Sequence, residues 1–514
     1  MSHSLQNCRY LYRAEQVREL ERNYLEDVGE QAGIASFALM RRAGQAAFKA
    51  MVKQWPDANR IRIYCGPGNN GGDGYIVAVE AKKAGMQVEL VSTVDTAQLK
   101  GDAAAACQLA REWGLAAEYL SDQSDKNHRT PDLIIDALLG IGLGGNVRGA
   151  VADAITEINQ ADCQVLAIDI PSGLCSDTGS ILGYAIRANA TVTFVGVKQG
   201  LLSGRGPACV GELYFDKIGI EPPEFKPVSD LTKHLCEADL ENALPPRSRD
   251  AHKGDFGHLL MVGGNYGMAG AITMAAEAAL RSGAGLLSIA TQPEHLPGIQ
   301  TRLPEAMAHA VTSVDQLEAL LEKATCIAIG PGLGTTVWSE HMLKRVLNSG
   351  LDLVLDADAL NLLADGTVEL PESRADEGQM ILTPHPGEAA RLLSTTVQQI
   401  EADRWAAVKA IQEKYSAVVV LKGAGSLICH SDFELKEQRV ALCSAGNPGM
   451  ASGGMGDVLT GVIAGLLAQG LAAHEAARLG VLIHAQSADY AARSGERGMI
   501  ATDLMPFIRQ QVNP

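Results

Sequence analysis

Short apolar runs alternate with amphipathic segments along most of the chain, and this pattern predicts buried β-strands that alternate with helices. In the first half the apolar runs are residues 61–65, 88–91, 133–135, 165–170 and 192–195. Ahead of them, residues 14–55 predict two amphipathic helices with a break near Gly33. Strands that alternate with helices predict a parallel sheet covered on both faces, with ligands beyond the carboxyl ends of the strands.

The second half restarts the same rhythm after a proline-rich, charged stretch at residues 219–249 that has no sustained period. Its predicted strands are residues 259–262, 286–290, 326–329, 353–355, 380–382 and 418–421. We place the boundary near residue 225, which gives two fused α/β domains at 1–225 and 226–514. The halves share no repeated motif, so we expect two different sites.

Composition and charge narrow the function classes. Of the 514 residues, 46% are hydrophobic and 20% are charged, which is typical of globular domains with packed cores. The 60 acidic residues outnumber the 43 lysines and arginines, so the net charge is −17, and neither a nucleic acid nor a membrane surface is an expected partner. The ten cysteines form no CxxC pair, and no stretch of about 18 apolar residues occurs. We therefore expect a cytoplasmic protein without zinc, disulfides or a membrane span.

Residues 66–74, GPGNNGGDG, separate a predicted strand from a predicted helix. Free backbone N–H groups at such a junction can hold a phosphate. The alternative is a structural turn in which Asp73 caps the next helix. Asn69 and Asn70 favour a binding role, because side-chain amides offer donors and acceptors to a ligand or an ion.

Two aspartates, Asp136 and Asp169, stand at the ends of predicted neighbouring strands and can face one pocket. With Asn70 and Ser172 they form an all-oxygen ligand set that suits potassium, magnesium or calcium. The alternative for each aspartate alone is a helix cap. Lys198 could supply a cation or a proton, but we favour a solvent-exposed lysine there.

The glycine-rich residues 447–457, NPGMASGGMGD, lead directly into an apolar helix in the second half. Backbone N–H groups in such a loop form an anion hole, and Asp457 at the helix start could take a proton from a substrate hydroxyl. The alternative is that Asp457 only caps the helix. The glycines at 453, 454 and 456 favour the catalytic interpretation, since a cap does not require them.

Further loops of the second half are expected at the same carboxyl-terminal edge of the predicted sheet. Residues 422–426, KGAGS, could contact a phosphate or a ribose, or could be a plain hairpin turn. Residues 330–334, GPGLG, end one predicted strand, and His385 with Glu388 ends another. Asp356 and Asp358 could hold a metal or fix the neighbouring loop, and we favour the structural role. Residues 263–270 form a further glycine loop that permits close approach of a ligand.

Several long motifs together resemble one enzyme family. GPGNNGGDG, DALLGIGLGG and IDIPSG resemble the NAD(P)H-hydrate epimerase domain. HKGDFGHLLMVGG, GPGLG, LDADALN, LTPHPGE, LKG and NPGMASGGMGDVLTG resemble the ADP-dependent NAD(P)H-hydrate dehydratase. The resemblance spans nearly the whole chain in the order of the bacterial bifunctional repair enzymes. It implies an N-terminal Rossmann-like parallel sheet and a C-terminal ribokinase-like α/β/α domain.

The resemblance also implies the activities and the ligands. The first domain would interconvert the R and S forms of hydrated NADH or NADPH. The second would dehydrate the S form with ADP as co-substrate and magnesium as a possible companion. We expect Asp457 to deprotonate the carbon 6 hydroxyl for phosphoryl transfer, after which phosphate leaves. Asp169 would assist proton transfer in the epimerase, and potassium would bind Asn70, Asp136 and Ser172.

Substrate and nucleotide contacts are implied residue by residue. The epimerase substrate contacts would be Asn69, Asn70, Gly71, Gly72, Asp73, Gly140, Ile141, Gly142, Leu143, Gly144, Gly145, Asn146 and Asp169. The dehydratase substrate contacts would be Ala271, Gly332, His385 and Asp457. The nucleotide contacts would be Lys422, Gly423, Ala424, Gly425, Ser426 and Gly456. Met455 stands where the family usually has threonine, so a hydroxyl contact would be lost there.

Two other functions stay open at this point. The second half could be a ribokinase-type kinase of a small vitamin-like alcohol, because it shares the anion hole and the base. The chain could also be a non-catalytic nucleotide-binding scaffold. Small-molecule substrates are expected in either enzyme interpretation, and the family resemblance implies a homo-oligomer.

Overall fold

The computed structural model describes residues 8–28, 32–120, 130–221, 230–241, 243–371, 378–432 and 437–513. The chain divides into two compact units, Met1–Thr232 and Lys233–Pro514. The predicted boundary near residue 225 lies outside the described residues. Among the residues that are described, none of the helices combines the length and the apolar character needed to cross a membrane.

The first unit is built around a parallel sheet. The strands of the first unit, β1–β8, are Tyr10–Leu11, Arg60–Cys65, Gln87–Ser92, Ala117–Tyr119, Leu133–Ala137, Gln164–Ile168, Ala190–Phe194 and Glu212–Asp216. Its helices α1–α6 are Ala14–Val28, Ala32–Gln54, Asn69–Lys83, Gly101–Glu112, Ala150–Gln160 and Gly206–Val210. Seven strands form one sheet in the order β4-β3-β2-β5-β6-β7-β8, and every pair in it is parallel.

The central strands of this sheet are buried on both faces. β5 is buried along its whole length, and β2 is buried from its second residue onwards. Continuous burial is expected for parallel strands, because the connecting helices cover both faces of the sheet. The order of the sheet brings the ends of β2, β5 and β6 side by side, and the polar motifs follow these ends.

The second unit has a longer mixed sheet. The strands β9–β18 are Thr232–His234, His258–Val262, Leu286–Thr291, Met307–Ala310, Cys326–Ile329, Asp352–Leu355, Met380–Leu382, Val418–Leu421, Ser426–Asp432 and Glu437–Cys443. The helices α7–α17 are Ala269–Ser282, Leu296–Arg302, Val314–Leu321, Val337–Leu347, Asp358–Ala364, Pro386–Leu392, Val397–Ala402, Arg404–Tyr415, Met455–Ala468, Ala473–Ala491 and Met505–Gln511.

Within the second unit, the strands of this sheet run in the order β9-β18-β17-β16-β15-β14-β13-β10-β11-β12. Every neighbouring pair in the stretch β16-β15-β14-β13-β10-β11-β12 is parallel, whereas β17 is antiparallel to both β16 and β18. The apolar helix α15 packs tightly on α7. A Cβ on Gly461 of α15 would lie 2.0 Å from the Ala275 carbonyl oxygen, so only glycine allows this approach.

The strand predictions agree with the structure at their centres, and the helical positions are largely right as well. The two helices predicted over residues 14–55 are present, with α1 ending at Val28 and α2 beginning at Ala32, just before the predicted break near Gly33. The sequence pattern also missed seven strands, β1, β4, β8, β9, β12, β17 and β18. Most of these lie toward the edges of their sheets, where partial exposure weakens the apolar run that identifies a strand.

Candidate active sites

The glycine motif of the first unit forms the start of a helix. α3 begins at Asn69 after Gly68, so Asp73 lies inside the helix and does not cap it. The alternative in which Asp73 caps the helix is therefore wrong. A Cβ on Gly71 would lie 2.1 Å from the Gly66 carbonyl oxygen, and one on Gly72 would lie 2.5 Å from the Met40 side chain. These two glycines let the helix start pack closely against its surroundings.

A cavity of about 640 Å³ lies at this end of the first sheet. Nine of the predicted substrate residues line it, together with Glu21 and Lys198. The nine residues are Asn69, Asn70, Asp73, Gly140, Ile141, Gly142, Leu143, Gly144 and Asp169. Four other predicted residues, Gly71, Gly72, Gly145 and Asn146, are not among its lining residues.

Asp169 forms an ion pair with a buried lysine. Lys198 is only 1% exposed, and its Nζ contacts Asp169 Oδ1 while donating to Thr193 Oγ1 at 3.0 Å and to the Phe194 carbonyl at 2.9 Å. The favoured interpretation of Lys198 as a solvent-exposed residue is therefore wrong. Asp169 has a φ of +65°, an uncommon backbone conformation for aspartate, and it directly follows β6.

Two further carboxyl groups share this cavity with the ion pair. Burial raises the pKa of Asp73 well above its ordinary value, and the negative charges of Asp169 and Glu21 add to the shift. Burial also raises the pKa of Glu21, although the positive charge of Lys198 opposes it. The site therefore combines a lysine-paired carboxylate with carboxyl groups that hold protons more tightly, as acid–base chemistry requires.

Asp136 and Ser172 form a buried polar cluster next to Asn70. Ser172 donates to Asp136 through both its backbone N–H, at 2.8 Å, and its hydroxyl, at 2.6 Å. The Asn70 amide nitrogen donates to the Leu139 carbonyl at 2.9 Å, whereas its buried Oδ1 has no hydrogen-bond partner in the described part of the chain. Burial raises the pKa of Asp136 to about 6, and the hydrogen bonds from Ser172 and Leu138 oppose this shift.

The donor atoms of this cluster fit a hard cation. Its donors are all oxygens, one carries a formal charge, and the Asn70 Oδ1 needs a partner. Such a set matches hard cations and disfavours zinc. A predicted potassium site at Asn70, Asp136 and Ser172 is thus compatible with the polar groups that the fold brings together.

In the second unit, Asp457 lies in the first turn of α15. The residue before this helix is Gly454, with a φ of +90°, so Asp457 is the third helical residue and does not cap it. The capping alternative is therefore wrong. A Cβ on Gly454 would lie 2.7 Å from Met274, and the left-handed backbone favours glycine here. Asp457 is thus placed beside the free N–H groups of a helix start.

Asp356 joins the elements of this site. Its Oδ1 accepts hydrogen bonds from Lys422 Nζ at 2.8 Å and from the Thr383 hydroxyl at 2.7 Å. Its Oδ2 accepts one from the Thr460 hydroxyl of α15 at 2.8 Å. Lys422 Nζ also lies 3.6 Å from Glu388 Oε2. Strand ends, the 422–426 turn and α15 are therefore connected through one buried carboxylate.

The charges in this cluster shift one another. Burial raises the pKa of Asp457 to about 7, with further raising by Asp356 and Asp358 and opposition from Lys422. Burial opposes the charge on Lys422, but Asp356 and Glu388 outweigh it and raise the pKa of the ammonium. Burial also raises the pKa of Glu388. Asp457 is therefore poised as a base near neutral pH.

The structure defines the surroundings of four other predicted residues of the second unit. Gly332 and Ala271 lie together, since a Cβ on Gly332 would be 3.2 Å from the Ala271 Cβ. His385 caps α12 by accepting from the Gly387 N–H at 2.9 Å, and its other ring nitrogen lies 3.3 Å from Glu388. A Cβ on Gly456 would lie 3.4 Å from Lys422 Nζ.

The structure bears on two alternatives from the sequence. Residues 422–426 link the antiparallel strands β16 and β17 as a hairpin turn, and the contact of this turn with a phosphate or a ribose stays a prediction. Asp358 accepts from the Gly334 N–H at 2.8 Å and so fixes the GPGLG loop, which confirms the structural role. In the described ranges, no cluster of three or more His, Cys, Asp or Glu side chains could hold a metal.

Comparison with known proteins agrees with this two-site architecture. The family model described as NAD(P)H-hydrate dehydratase matches residues 259–510, and the model described as YjeF-related protein N-terminus matches residues 36–200. The bifunctional NAD(P)H-hydrate repair enzyme of Coxiella burnetii is 47% identical over 98% of this chain and 99% of its own length. The chain belongs to the family of bifunctional NAD(P)H-hydrate repair enzymes. The family predicted from the motifs is therefore confirmed.

A second relative and a solved structure are also similar to this chain. The Escherichia coli bifunctional NAD(P)H-hydrate repair enzyme is 42% identical over 98% of this chain and 93% of its own. The ADP/ATP-dependent NAD(P)H-hydrate dehydratase of Bacillus subtilis, crystallised with ATP and Mg²⁺, is 31% identical, with a TM-score of 0.47 over 54% of this chain and 95% of that one. The predicted two-domain α/β class with a ribokinase-like C-terminal domain is confirmed.

Several residues of the repair-enzyme sites were not found from the sequence. Glu21 comes from α1, far along the chain from the glycine motifs, and Thr460 is hidden in an apolar helix. The burial of Lys198 and the central position of Asp356 were also missed. Only Asp356 could have been recognised from the sequence as a site residue, because it follows an apolar run as the other strand-end aspartates do.

Proposed function

We propose that this chain repairs hydrated nicotinamide cofactors in two steps. The first unit interconverts the R and S hydrates of NADH and NADPH, and the second converts the S hydrate to the reduced cofactor with ADP as phosphoryl donor. The observation that carries this proposal is the position of Asp457 at the start of α15, beside Lys422 and Asp356. The curated relatives, whose names state NAD(P)H-hydrate repair, support it.

In the dehydratase reaction, Asp457 takes the proton from the carbon 6 hydroxyl. The hydroxyl oxygen then forms a bond to the β-phosphorus of ADP, and the bond to AMP breaks. The phosphorylated oxygen leaves carbon 6 as inorganic phosphate, and loss of a proton from carbon 5 restores the ring double bond. Lys422, held by Asp356 at 2.8 Å, stabilises negative charge that develops on the transferred group.

The nucleotide contacts in this proposal are the turn residues and one helical residue. Lys422, Gly423, Ala424, Gly425, Ser426 and Gly456 would contact ADP, and magnesium would accompany its phosphates. The start of α15 supports this assignment, because the N–H groups of a first helical turn attract anions. Ala271, Gly332 and His385 would contact the hydrate close to Asp457.

In the epimerase reaction, Asp169 and Lys198 move protons while water leaves and returns at carbon 6. The ring nitrogen assists loss of the hydroxyl, which needs a proton donor, and water then adds to the opposite face, which needs a base. Asp73 and Glu21 are the neighbouring carboxyl groups that could donate. Potassium at Asn70, Asp136 and Ser172 would hold the loop that ends β5 and so support the cavity wall.

Two alternatives make different products. A kinase of a vitamin-like alcohol would release a stable phosphorylated alcohol, and a scaffold would release nothing. The Asp169–Lys198 pair in a separate cavity argues against both, since neither function needs a buried ion pair there. The homo-oligomer and the cytoplasmic location stay predictions.

The test follows recovery of reduced-nicotinamide absorbance from a mixture of R and S hydrates. We expect full recovery with ADP and none without nucleotide. Asp457→Ala should abolish recovery of both forms, whereas Asp169→Asn should leave recovery of the S fraction and slow that of the R fraction. Absence of recovery with any adenine nucleotide would contradict the repair function and would favour a kinase of another alcohol.

A further inference from the structure

The turn at residues 422–426 lies directly over a buried arginine. Arg404 is the first residue of α14, and its side chain is only 1% exposed. Its Nη2 donates to the carbonyl oxygens of Leu421, Lys422 and Gly425, at 3.4, 3.3 and 3.4 Å. One guanidinium group thus holds three carbonyl groups of the same hairpin from its inner side.

Gly423 packs flat against this guanidinium group. A Cβ on Gly423 would lie 2.8 Å from Arg404 Nη1 and 2.9 Å from Nη2. Its φ of +142° also favours glycine. A side chain at position 423 would therefore collide with Arg404, so this position requires glycine.

The arginine determines which way the turn presents its backbone. In a trans peptide the C=O and the following N–H point in opposite directions. Because the Lys422 carbonyl points to Arg404, the Gly423 N–H points away from it. Within the part of the chain that the structure describes, the N–H groups of Gly423, Ala424 and Gly425 make no hydrogen bond. Consecutive free N–H groups of this kind bind anions.

The charge of Arg404 is less compensated than that of the lysine in the turn. Lys422 is paired with Asp356 at 2.8 Å and lies 3.6 Å from Glu388. Arg404 is paired with Glu401 at 3.0 Å, and Glu401 is 36% exposed. The Nε of Arg404 is buried and has no partner in the described chain. Positive charge therefore remains under the turn, in a region of low dielectric constant.

We propose that Arg404 is a positioning residue for the nucleotide. It fixes the 422–426 turn with free N–H groups outward, and its charge attracts the ADP phosphates through the turn without touching them. This rests on the proposed function, in which ADP binds at this turn. Arg404 belongs to none of the sequence motifs, because it lies at the start of α14, before the 422–426 turn in the sequence.

The test uses the variant Arg404→Met. Calorimetry measures the Kd for ADP, and steady-state kinetics measures the KM for ADP and the KM for the S hydrate. We expect the Kd for ADP to rise about tenfold, because a buried positive charge near the phosphates is lost and the turn is no longer held in place. The KM for the S hydrate should change less than about twofold. Arg404→Lys keeps the charge but not the planar guanidinium group, so its Kd for ADP should lie between those of the wild type and Arg404→Met.

Arg478→Met is the matched control. Arg478 is 13% exposed, pairs with Glu475 at 2.8 Å in the same i,i+3 arrangement, and has an unpartnered Nε like that of Arg404. Its removal should lower the melting temperature without changing ADP binding. If Arg404→Met lowers the melting temperature in the same way and leaves the Kd for ADP unchanged, Arg404 is only structural and the proposal is wrong.

Glu401→Gln provides a second test that does not depend on removing a buried arginine. It takes away the counterion of Arg404 from a partly exposed position, so ADP should bind about threefold more tightly. Unchanged or weaker binding in Glu401→Gln would overturn the role of the charge. A wild-type chain that binds no ADP would overturn both proposals, whereas ADP binding that is insensitive to Arg404 and Glu401 would overturn only this one.

Discussion

The hydroxyl of Thr460 donates a hydrogen bond to Asp356 Oδ2 at 2.8 Å, although the two residues are 104 positions apart in the sequence. This bond ties helix α15 to the end of β14. Because Asp356 also holds Lys422 through its other oxygen, the proposed base Asp457 and the cation Lys422 keep a fixed relation to each other. The proposed catalytic geometry of the second unit therefore depends on a buried aspartate that need not touch the substrate.

The dehydratase should gain activity as pH rises through about 7. Burial and the charges of Asp356 and Asp358 raise the pKa of Asp457 to about 7, and a base works only when it is unprotonated. Asp356→Asn should move the midpoint of the kcat profile down by about one pH unit, since one repelling charge is removed. Thr460→Val removes a hydrogen bond without changing charge, so its midpoint should stay in place. A profile that is flat from pH 5 to 9 would contradict Asp457 as the base.

Replacing Asp457 should stabilise the protein above neutral pH. The folded pKa of about 7 exceeds the ordinary value of 3.8, so the folded state binds the proton more tightly and loses stability as pH rises from about 4 to 7. Asp457→Asn removes this loss. We expect a gain in the free energy of unfolding of about 4 kcal/mol at pH 8 and little gain at pH 4. Urea unfolding at both pH values measures the difference, and equal gains would contradict the pKa assignment.

The Lys198–Asp169 pair should be essential to the first unit. Lys198→Met leaves the Asp169 carboxylate without its counterion and should cost about 3–5 kcal/mol of stability. Adding Asp169→Asn to this variant should restore part of that loss, because the unpaired charge is then removed. Both variants should fail to convert pure R hydrate and still process pure S hydrate. Full epimerase activity in Lys198→Met would refute the assignment.

Potassium should stabilise the first unit through Asn70. Raising potassium chloride at constant ionic strength, with tetramethylammonium chloride as the replacement salt, should raise the melting temperature of the wild type, since an ion that binds the folded state stabilises it. Asn70→Ala and Ser172→Ala should lose that response, as each removes an oxygen from the cluster. An identical potassium response in all three proteins would place the ion elsewhere or exclude it.

Two glycines of the same motif should differ strongly in their tolerance of alanine. A Cβ on Gly71 would lie 2.1 Å from the Gly66 carbonyl oxygen, whereas one on Gly68 would have nothing within 4 Å. Gly71→Ala should therefore lower the free energy of unfolding by about 3 kcal/mol or more, because a backbone atom must move. Gly68→Ala should change it by less than about 0.5 kcal/mol. Similar losses in both variants would mean that α3 packs differently.

Much of the fold followed from the sequence because its signals are local. The runs that form β2 and β5 are rich in apolar residues, and such runs predict buried strands. Each run is followed by a glycine-rich segment, which predicts a turn. The position of Asp457 at a helix start was predictable for the same reason. Where the apolar run was weak, as in β12 and β17, the strand was missed, since pairing with a neighbour stabilises it more than its own residues do.

The sequence by itself determined the order of strands and helices, the two-domain division into α/β units and the loops that carry the chemistry, because hydrophobic period and glycine placement act over a few residues. Only the tertiary structure decided which charges meet. Lys198 reaches Asp169 across 29 positions, and Arg404 lies under the 422–426 turn. Ion pairing and desolvation act through space, so whether a lysine is exposed or buried against a carboxylate is fixed when the sheet brings the strand ends together.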